Sequence, residues 1–291
     1  MRKLKEALPL LPFLAVVVIF LIIPTVTVIV SSVYADGVFS FARIQALFSD
    51  TAMAALGKSV LLSGSTAIIG AVLGAVLAWL IVSSPPTSMV RRAVISLCSV
   101  LAQFGGVALA FAFLATVGLN GVLTLWVQQV FGFNLAGSGW LYSLTGLILV
   151  YTYFQIPLMV IVFVPALEGL RDQWREAAVS LGASTWRYWR EVAVPLLMPA
   201  FLGSTLLLFA NAFAAYATAA ALVSQGSPIV PLLIRSALTS EVVLGQSGFA
   251  YALAVEMIVV VALVMVAYSV LVRRTAKIGR ASCRERVYHP V

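Results

Sequence analysis

Residues 168–195 read EGLRDQWREAAVSLGASTWRYWREVAVP, a run dense in acid and base between two stretches, 143–165 and 196–223, that hold no Asp, Glu, Lys or Arg. That contrast decides the fold. Crossing a bilayer core takes about 20 helical residues, and a backbone without water must satisfy its own amides. Long apolar blocks lacking two-residue alternation therefore read as spanning helices and not as barrel strands. Outward from the island, further blocks fall at 10–33, 57–83, 93–117 and 249–272. With 62% hydrophobic and 10% charged residues and a mean hydropathy of +1.09, the chain carries more apolar surface than a water-soluble core of 291 residues hides. The expected fold is an all-α membrane bundle of six transmembrane helices with both termini on one side.

Lys and Arg near helix ends resist translocation and set the orientation. Placing the termini in the cytoplasm puts twelve of the eighteen Lys and Arg inside: Arg2, Lys3, Lys5, Arg91, Arg92, Arg171, Arg175, Arg187, Arg190, Arg273, Arg274 and Lys277. Only Arg43, Lys58 and Arg235 fall outside, and the remaining Arg280, Arg284 and Arg286 lie in the tail. The basic balance thus reflects loops beside an anionic leaflet, and no nucleic-acid partner is expected. The first apolar block follows a basic flank like that of a secretory leader. It is too long for one and lacks a small-residue cleavage site, so it reads as a retained helix.

Residues from about 278 onward are set apart from the bundle. Ile278 to Val287 resembles the translation of a common sequencing-library adapter. His289 and Cys283 lie there, which leaves Cys98 as the only bundle cysteine and offers no disulfide or metal site. The expected organisation is residues 1–56 for the N-terminal cytoplasmic segment, the first helix and an external loop, 57–272 for a core domain of five helices with a charged cytoplasmic loop at 167–195, and 273–291 for a cytoplasmic tail.

Within the charged island, Glu168/Arg171, Asp172/Arg175 and Arg187/Glu191 are spaced three or four apart, which predicts opposite charges meeting on a solvated helix. Leu170, Trp174, Ala177, Ala178 and Leu181 form an apolar face that must rest on the bundle or on a partner. Gly182 is expected to end this helix in a left-handed conformation, Ser184 to cap the next, and Pro195 to mark the entry to the fifth span. The product is a two-helix elbow.

Glu176-Ala177-Ala178, three residues, Gly182, nine residues, then Val192-x-Val194-Pro195 resembles the cytoplasmic loop motif of permease subunits of binding-protein-dependent ABC importers. Val192 and Val194 stand where Ile and Leu are usual, which keeps the aliphatic character. The resemblance runs from about residue 57 to 272, and the whole chain looks like the permeases of the spermidine/putrescine, iron(III) and 2-aminoethylphosphonate group. It implies a type I importer permease fold in a bacterial inner membrane. The implied partners are a cytoplasmic ATPase dimer that uses the ATP, a second permease subunit identical or different, and an external solute-binding protein. It further implies that the elbow docks on the ATPase, with Glu176 as interface anion, Gly182 as the shaping turn and Ala177 and Ala178 as points of close approach.

The chain is not expected to be an enzyme or its own motor. A phosphate-binding loop needs Gly, four residues and Gly-Lys-Ser/Thr, and Gly57-Lys58-Ser59 has Ala52 in place of the first Gly. No acid pair or Ser/His/Asp set appears, and no cofactor is expected in this chain.

Polar groups inside the spans are candidates for a solute pathway, because each costs free energy in lipid unless it faces protein or water. Glu256 is the sharpest, as a pathway carboxylate suited to a polyamine-like cation or as an acid near the outer interface. Asn211, Gln155, Tyr151 and Tyr153 read as pathway lining or as interhelical glue. Gln103, Gly105 and Gly106 read more readily as close helix packing than as a solute contact. Outside the bundle, Trp126, Trp140 and Tyr142 suit interfacial anchors, and Val122, Leu123, Trp126, Val127 and Val130 share one face of a surface helix between Gly121 and Gly132. A second external loop, 224–248, carries Arg235 and Glu241. The competing reading is a secondary carrier without an ATPase. Carriers usually duplicate their helix set, and only one set of six is visible here.

Overall fold

The computed structural model describes residues 11–35, 38–39, 42–137, 139–223, 229–239 and 247–284. The expected basic flank at Arg2, Lys3 and Lys5, the loop acid Glu241 and the tail residue His289 lie outside the described residues. Among the described residues helix dominates, and six helices are long and apolar enough to cross a membrane: Pro12–Val33, Asp50–Val82, Gly106–Phe131, Leu144–Glu168, Thr185–Ala214 and Gly248–Val270. The chain divides into two compact units, 1–57 with 228–260 and 58–227 with 261–291.

The first unit opens with α1 (Leu11–Val17), a π-helical turn over Val18–Ile22, and α2 (Ile23–Val33). The wide turn directly precedes Pro24. A proline has no N–H to give to the fourth carbonyl back, and its ring presses on that carbonyl, so one turn of wider register relieves the clash. Apart from Ser32 the described side chains of this segment are not buried, as suits a helix whose solvent is lipid. A two-residue hairpin follows, Tyr34 opposite Phe39 and Ala35 opposite Val38, and then the short α3 (Ala42–Gln45). The Arg43 Nη1 donates to the Ser31 carbonyl at 2.6 Å and the Tyr34 carbonyl at 3.0 Å, supplying donors where α2 ends. Ala52, Ala55, Val230 and Leu253 form this unit's core.

α4 (Asp50–Val82) begins in the first unit and continues into the second, where α5 (Met89–Gln103), α6 (Gly106–Val117), α7 (Val122–Phe131) and α8 (Leu144–Glu168) follow. α8 is central, with Val150, Tyr151, Gln155, Met159 and Val160 all essentially inaccessible. Small residues let α4 approach it. A Cβ added at Gly70 would lie 2.6 Å from the Gln155 Cβ, and one at Gly74 would lie 2.5 Å from the Met159 Cβ. Gly70-x-x-x-Gly74 is thus a spacing at which two helix backbones touch, flanked by the buried Ala67, Ala71 and Ala78. Next come α9 (Asp172–Ser180), α10 (Thr185–Tyr188), a second π-helical turn over Trp189–Ala193, α11 (Val194–Ala214) and α12 (Ala217–Leu222). This wide turn again immediately precedes a proline, Pro195.

Two expected spans are not single helices. The block 93–117 is split at Phe104–Gly105 into α5 and α6, and the apolar stretch of spanning length begins at Gly106 and runs through α7. The block 196–223 is split at Ala215–Tyr216 into α11 and α12. Part of the expected loop 224–248 is helical, α13 (Val230–Thr239), with Arg235 exposed; α14 (Ser247–Arg284) closes the described chain. The surface helix α7 lies between Gly121 and Gly132 as read from the sequence, with Gly132 left-handed. Its apolar residues face outward, Val122 being 74% exposed, while Thr124 is buried.

Candidate functional site: an elbow and a cavity between broken helices

The elbow is built by local rules. α9 ends in a pair of bonds that fold the chain back: the Gly182 N–H reaches the Val179 carbonyl and the Ala183 N–H reaches the Ala178 carbonyl, both at 2.9 Å. This pattern requires a left-handed residue, and Gly182 has φ +79°. The Ser184 hydroxyl accepts the Arg187 N–H at 3.3 Å and so caps α10. No non-helical residue separates α10 from α11. The π turn carries the helix through Pro195, so the second leg of the elbow and the fifth span form one rod, Thr185–Ala214.

Electrostatics on the elbow differ from the sequence pairing. Arg187 and Glu191 do pair, Nε to Oε2 at 3.1 Å. Glu168 pairs with Arg91, at the start of α5, and not with Arg171. The reason is that α8 stops at Glu168 and Arg171 is the extended residue before α9, so the two do not share a helix. Asp172 and Arg175 form no ion pair among the described residues, and Arg171 lies over the Trp174 ring at 6.0 Å.

The motif residues are placed outward. Glu176, Ala177 and Pro195 are exposed, while Ala178 and Val192 are half-buried. Of the apolar face read from the sequence, only Leu170 packs on the core; α9 buries none of its residues. Leu181 is 88% exposed, Trp186 74% and Val179 58%. At its root the elbow is anchored by the buried Tyr188 and by Trp189, which meets Trp79 edge to face at 6.3 Å. Beside that contact is an almost wholly apolar cavity of about 260 Å³ lined by Val76, Trp79, Phe163, Leu167, Trp189 and Phe201.

The second feature is where the two broken helices meet. Gly106, at φ +69°, restarts the chain as α6, and a Cβ there would come within 3.6 Å of the Ala217 Cβ. The Thr218 hydroxyl donates to the Gly106 carbonyl at 3.2 Å, joining the two breaks. The Tyr151 hydroxyl donates to the Ala215 carbonyl at 2.6 Å, and the Gln155 amide to the Leu208 carbonyl at 2.7 Å. The bonds to Ala215 and Gly106 satisfy backbone carbonyls at the two breaks, which apolar surroundings would otherwise penalise, and the Gln155 bond ties α8 to α11. A cavity of about 220 Å³ results, lined by Gly105, Gly106, Phe154, Asn211, Tyr216 and Thr218 among others.

Among the candidate pathway residues, Asn211 therefore lines the cavity. Tyr151 and Gln155 are buried beneath it and hold backbone, and Tyr153 stacks edge to face on Phe113 at 5.8 Å. Gly105 and Gly106 break a helix and line the cavity; they do not serve close packing, a role that falls to Gly70 and Gly74. Glu256 belongs to the first unit, where its Oε2 is buried with no hydrogen-bond partner among the described residues. Tyr216 and Thr218 were missed because Ala215–Tyr216 contains no Gly or Pro to announce a break.

Paired helix breaks behind a projecting elbow, in a chain with six apolar helices of spanning length among the described residues, are the architecture of a membrane transport subunit. The sequence matches the family of binding-protein-dependent transport system inner membrane components over residues 70–277, and the chain belongs to that family, the permease subunits of ABC importers.

Relatives include the probable sulfate transport system permease protein cysT of Zygnema circumcarinatum, 26% identical over 65% of this chain and 63% of that one. The molybdenum transport system permease protein ModB of Escherichia coli K12 is 27% identical over 62% of this chain and 75% of its own. The putative ferric transport system permease protein FbpB 1 of Haemophilus influenzae is 22% identical over 70% of this chain, which spans only 32% of that longer protein. Among solved structures, a bacterial ABC transporter involved in import of the acidic polysaccharide alginate superimposes with TM-score 0.69 at 16% identity, over 95% of this chain and 96% of that one. The MetNI methionine ABC transporter in inward-facing form gives 0.57 at 15% identity, over 78% of this chain and 99% of that one. These likenesses describe the fold.

Proposed function

We propose that the elbow is where an ATP-hydrolysing subunit grips this permease, and that the cavity between the broken helices contacts the solute on its way across. The observation that carries the first part is the outward placement of Leu181, Trp186 and Val179 on a projection welded to the fifth span. Exposed side chains of this size, on a turn fixed by two backbone bonds, suit burial in the groove of a second protein. Glu176 beside them, without an ion pair among the described residues, supplies an anion for a cationic partner side chain. Because the second leg continues without interruption into α11, a push on the elbow moves the helix that ends at the cavity.

In this reading the elbow and both termini are cytoplasmic, following the positive charges, and the working assembly has two ATPases, a second permease subunit and an external solute-binding protein. ATP is used by the ATPases. The solute is small and polar. The relatives include permeases of sulfate, ferric, molybdenum and thiamine transport systems, and a polyamine-like solute rests on the acidic side chain of Glu256 alone.

The test is retention of the ATPase subunit on affinity-purified permease carrying Glu176→Lys. Lost retention with unchanged membrane yield is expected, and normal retention refutes the elbow as the interface.

A further inference from the structure

The ion pair between Arg91 and Glu168 joins residues 77 apart in sequence. Arg91 is the more enclosed partner, 10% exposed against 47% for Glu168, and its Nη1 also donates to the Ser84 carbonyl at 3.2 Å. It thereby holds together the turn after α4, the first residues of α5 and the last residue of α8. That last residue is also where the elbow begins.

α5 runs from this contact to the cavity. Its fifteen residues span about 22 Å as a rigid rod. At the far end Ala102 and the following Gly105 line the cavity. Along its length α5 packs on α8 through Val94, Ile95 and Cys98, contacts that are apolar and therefore non-directional. Such packing holds the two helices together through many weak contacts, and a charged hydrogen bond at the end of both helices adds a directional tie between those ends.

We propose that the Arg91–Glu168 pair is a positioning latch that makes α5 a strut, so that displacement of the elbow's first leg reaches the cavity wall at Ala102–Gly105. This rests on the elbow being the ATPase contact. It adds a second route of transmission to the continuous rod of α10 and α11, and it assigns both residues a part in coupling that lies outside the motif.

The experiment uses the assembled transporter in lipid nanodiscs, with Cys98 and Cys283 replaced by Ser and Ala102→Cys as reporter. A charged methanethiosulfonate reagent measures the labelling rate with and without ATP plus orthovanadate, so no solute need be known. The parent should show a change of about fivefold or more between the two states, in the usual range of coupling between sites. Arg91→Gln and Glu168→Gln should each abolish that change while retaining the ATPase subunits, and the exchange Arg91→Glu with Glu168→Arg should recover it. A neutralised variant that keeps the parent's change overturns the latch, and so does an exchange that holds the ATPase yet recovers nothing. Failure of the elbow reading shows separately, as ATPase retention that survives Glu176→Lys.

Discussion

Substitution of Gly182 isolates the elbow's shape from its chemistry. A Cβ at this position meets nothing within 4 Å, so no clash arises and the entire cost is conformational. At φ +79° an L-residue places its Cβ against its own backbone, at roughly 1–2 kcal/mol, more for a β-branched side chain and less for Asn. The two bonds that the turn makes, from Gly182 and Ala183, are each worth about 0.5–1.5 kcal/mol net, and their groups lie at a solvated surface where water replaces them. A penalty of that size is comparable with what holds the turn, so the ratio of folded to unfolded elbow falls by about 5- to 30-fold and the folded form drops to roughly half of the molecules. If docking needs the folded elbow, the apparent Kd for the ATPase rises by the inverse of the folded fraction, about twofold for Gly182→Ala and more for Gly182→Val. Titrating purified ATPase subunit onto nanodisc-held permease should rank affinity as Gly182, then Gly182→Asn, Gly182→Ala and Gly182→Val. Equal affinity across the four, or tighter binding by Gly182→Val than by Gly182→Asn, refutes the claim that the left-handed turn presents the docking surface.

Gly74→Ala should lower the thermal midpoint of the detergent-solubilised permease by the equivalent of about 1–3 kcal/mol, because the added carbon lands 2.5 Å from Met159 and 2.8 Å from the Ile156 carbonyl; Gly64→Ala, with open space around it, should not. Tyr151→Phe leaves the Ala215 carbonyl without its donor at the helix break and should cost about 1–3 kcal/mol in the same melt. Asn211→Ala should cut solute uptake in cells while leaving the melt in place, and an unchanged uptake removes Asn211 from the pathway.

The helical class, the island and its turn were legible because each rests on a strong local rule: apolar length for the spans, a glycine C-terminal to an amphipathic helix for the turn, a serine for the cap. The breaks were legible only where glycine marks them. Gly105–Gly106 carried a signal that was assigned to packing, since a glycine pair in an apolar run serves either end and only the neighbouring helix decides. Gly70 and Gly74 gave the converse, a spacing whose packing role depends on Met159 and Gln155 from a helix some eighty residues away. Arg91 to Glu168 was out of reach for the same reason. Spacing of three and four finds partners on one helix, and here the acid is the last residue of its helix and turns to another.

Tyr151 and Gln155 show why intramembrane polar groups are hard to assign from sequence. A pathway residue and a residue that holds up a pathway both avoid lipid, so both stand out equally in an apolar run. What separates them is where the hydrogen bond goes. Tyr151 and Gln155 are inaccessible and give their donors to the Ala215 carbonyl at the break and the Leu208 carbonyl within α11, so their exchange for apolar residues acts on stability first. Asn211 lines the cavity, so under the proposed function its exchange would act on the solute. The break in α11 therefore has a built floor, the Tyr151 hydroxyl under Ala215 and Thr218 across to Gly106, that stabilises the interruption before any solute arrives. A cavity held open this way is pre-organised, and under the proposed coupling strokes through α5 and α11 would shift walls that are already in place, with no helix left to melt.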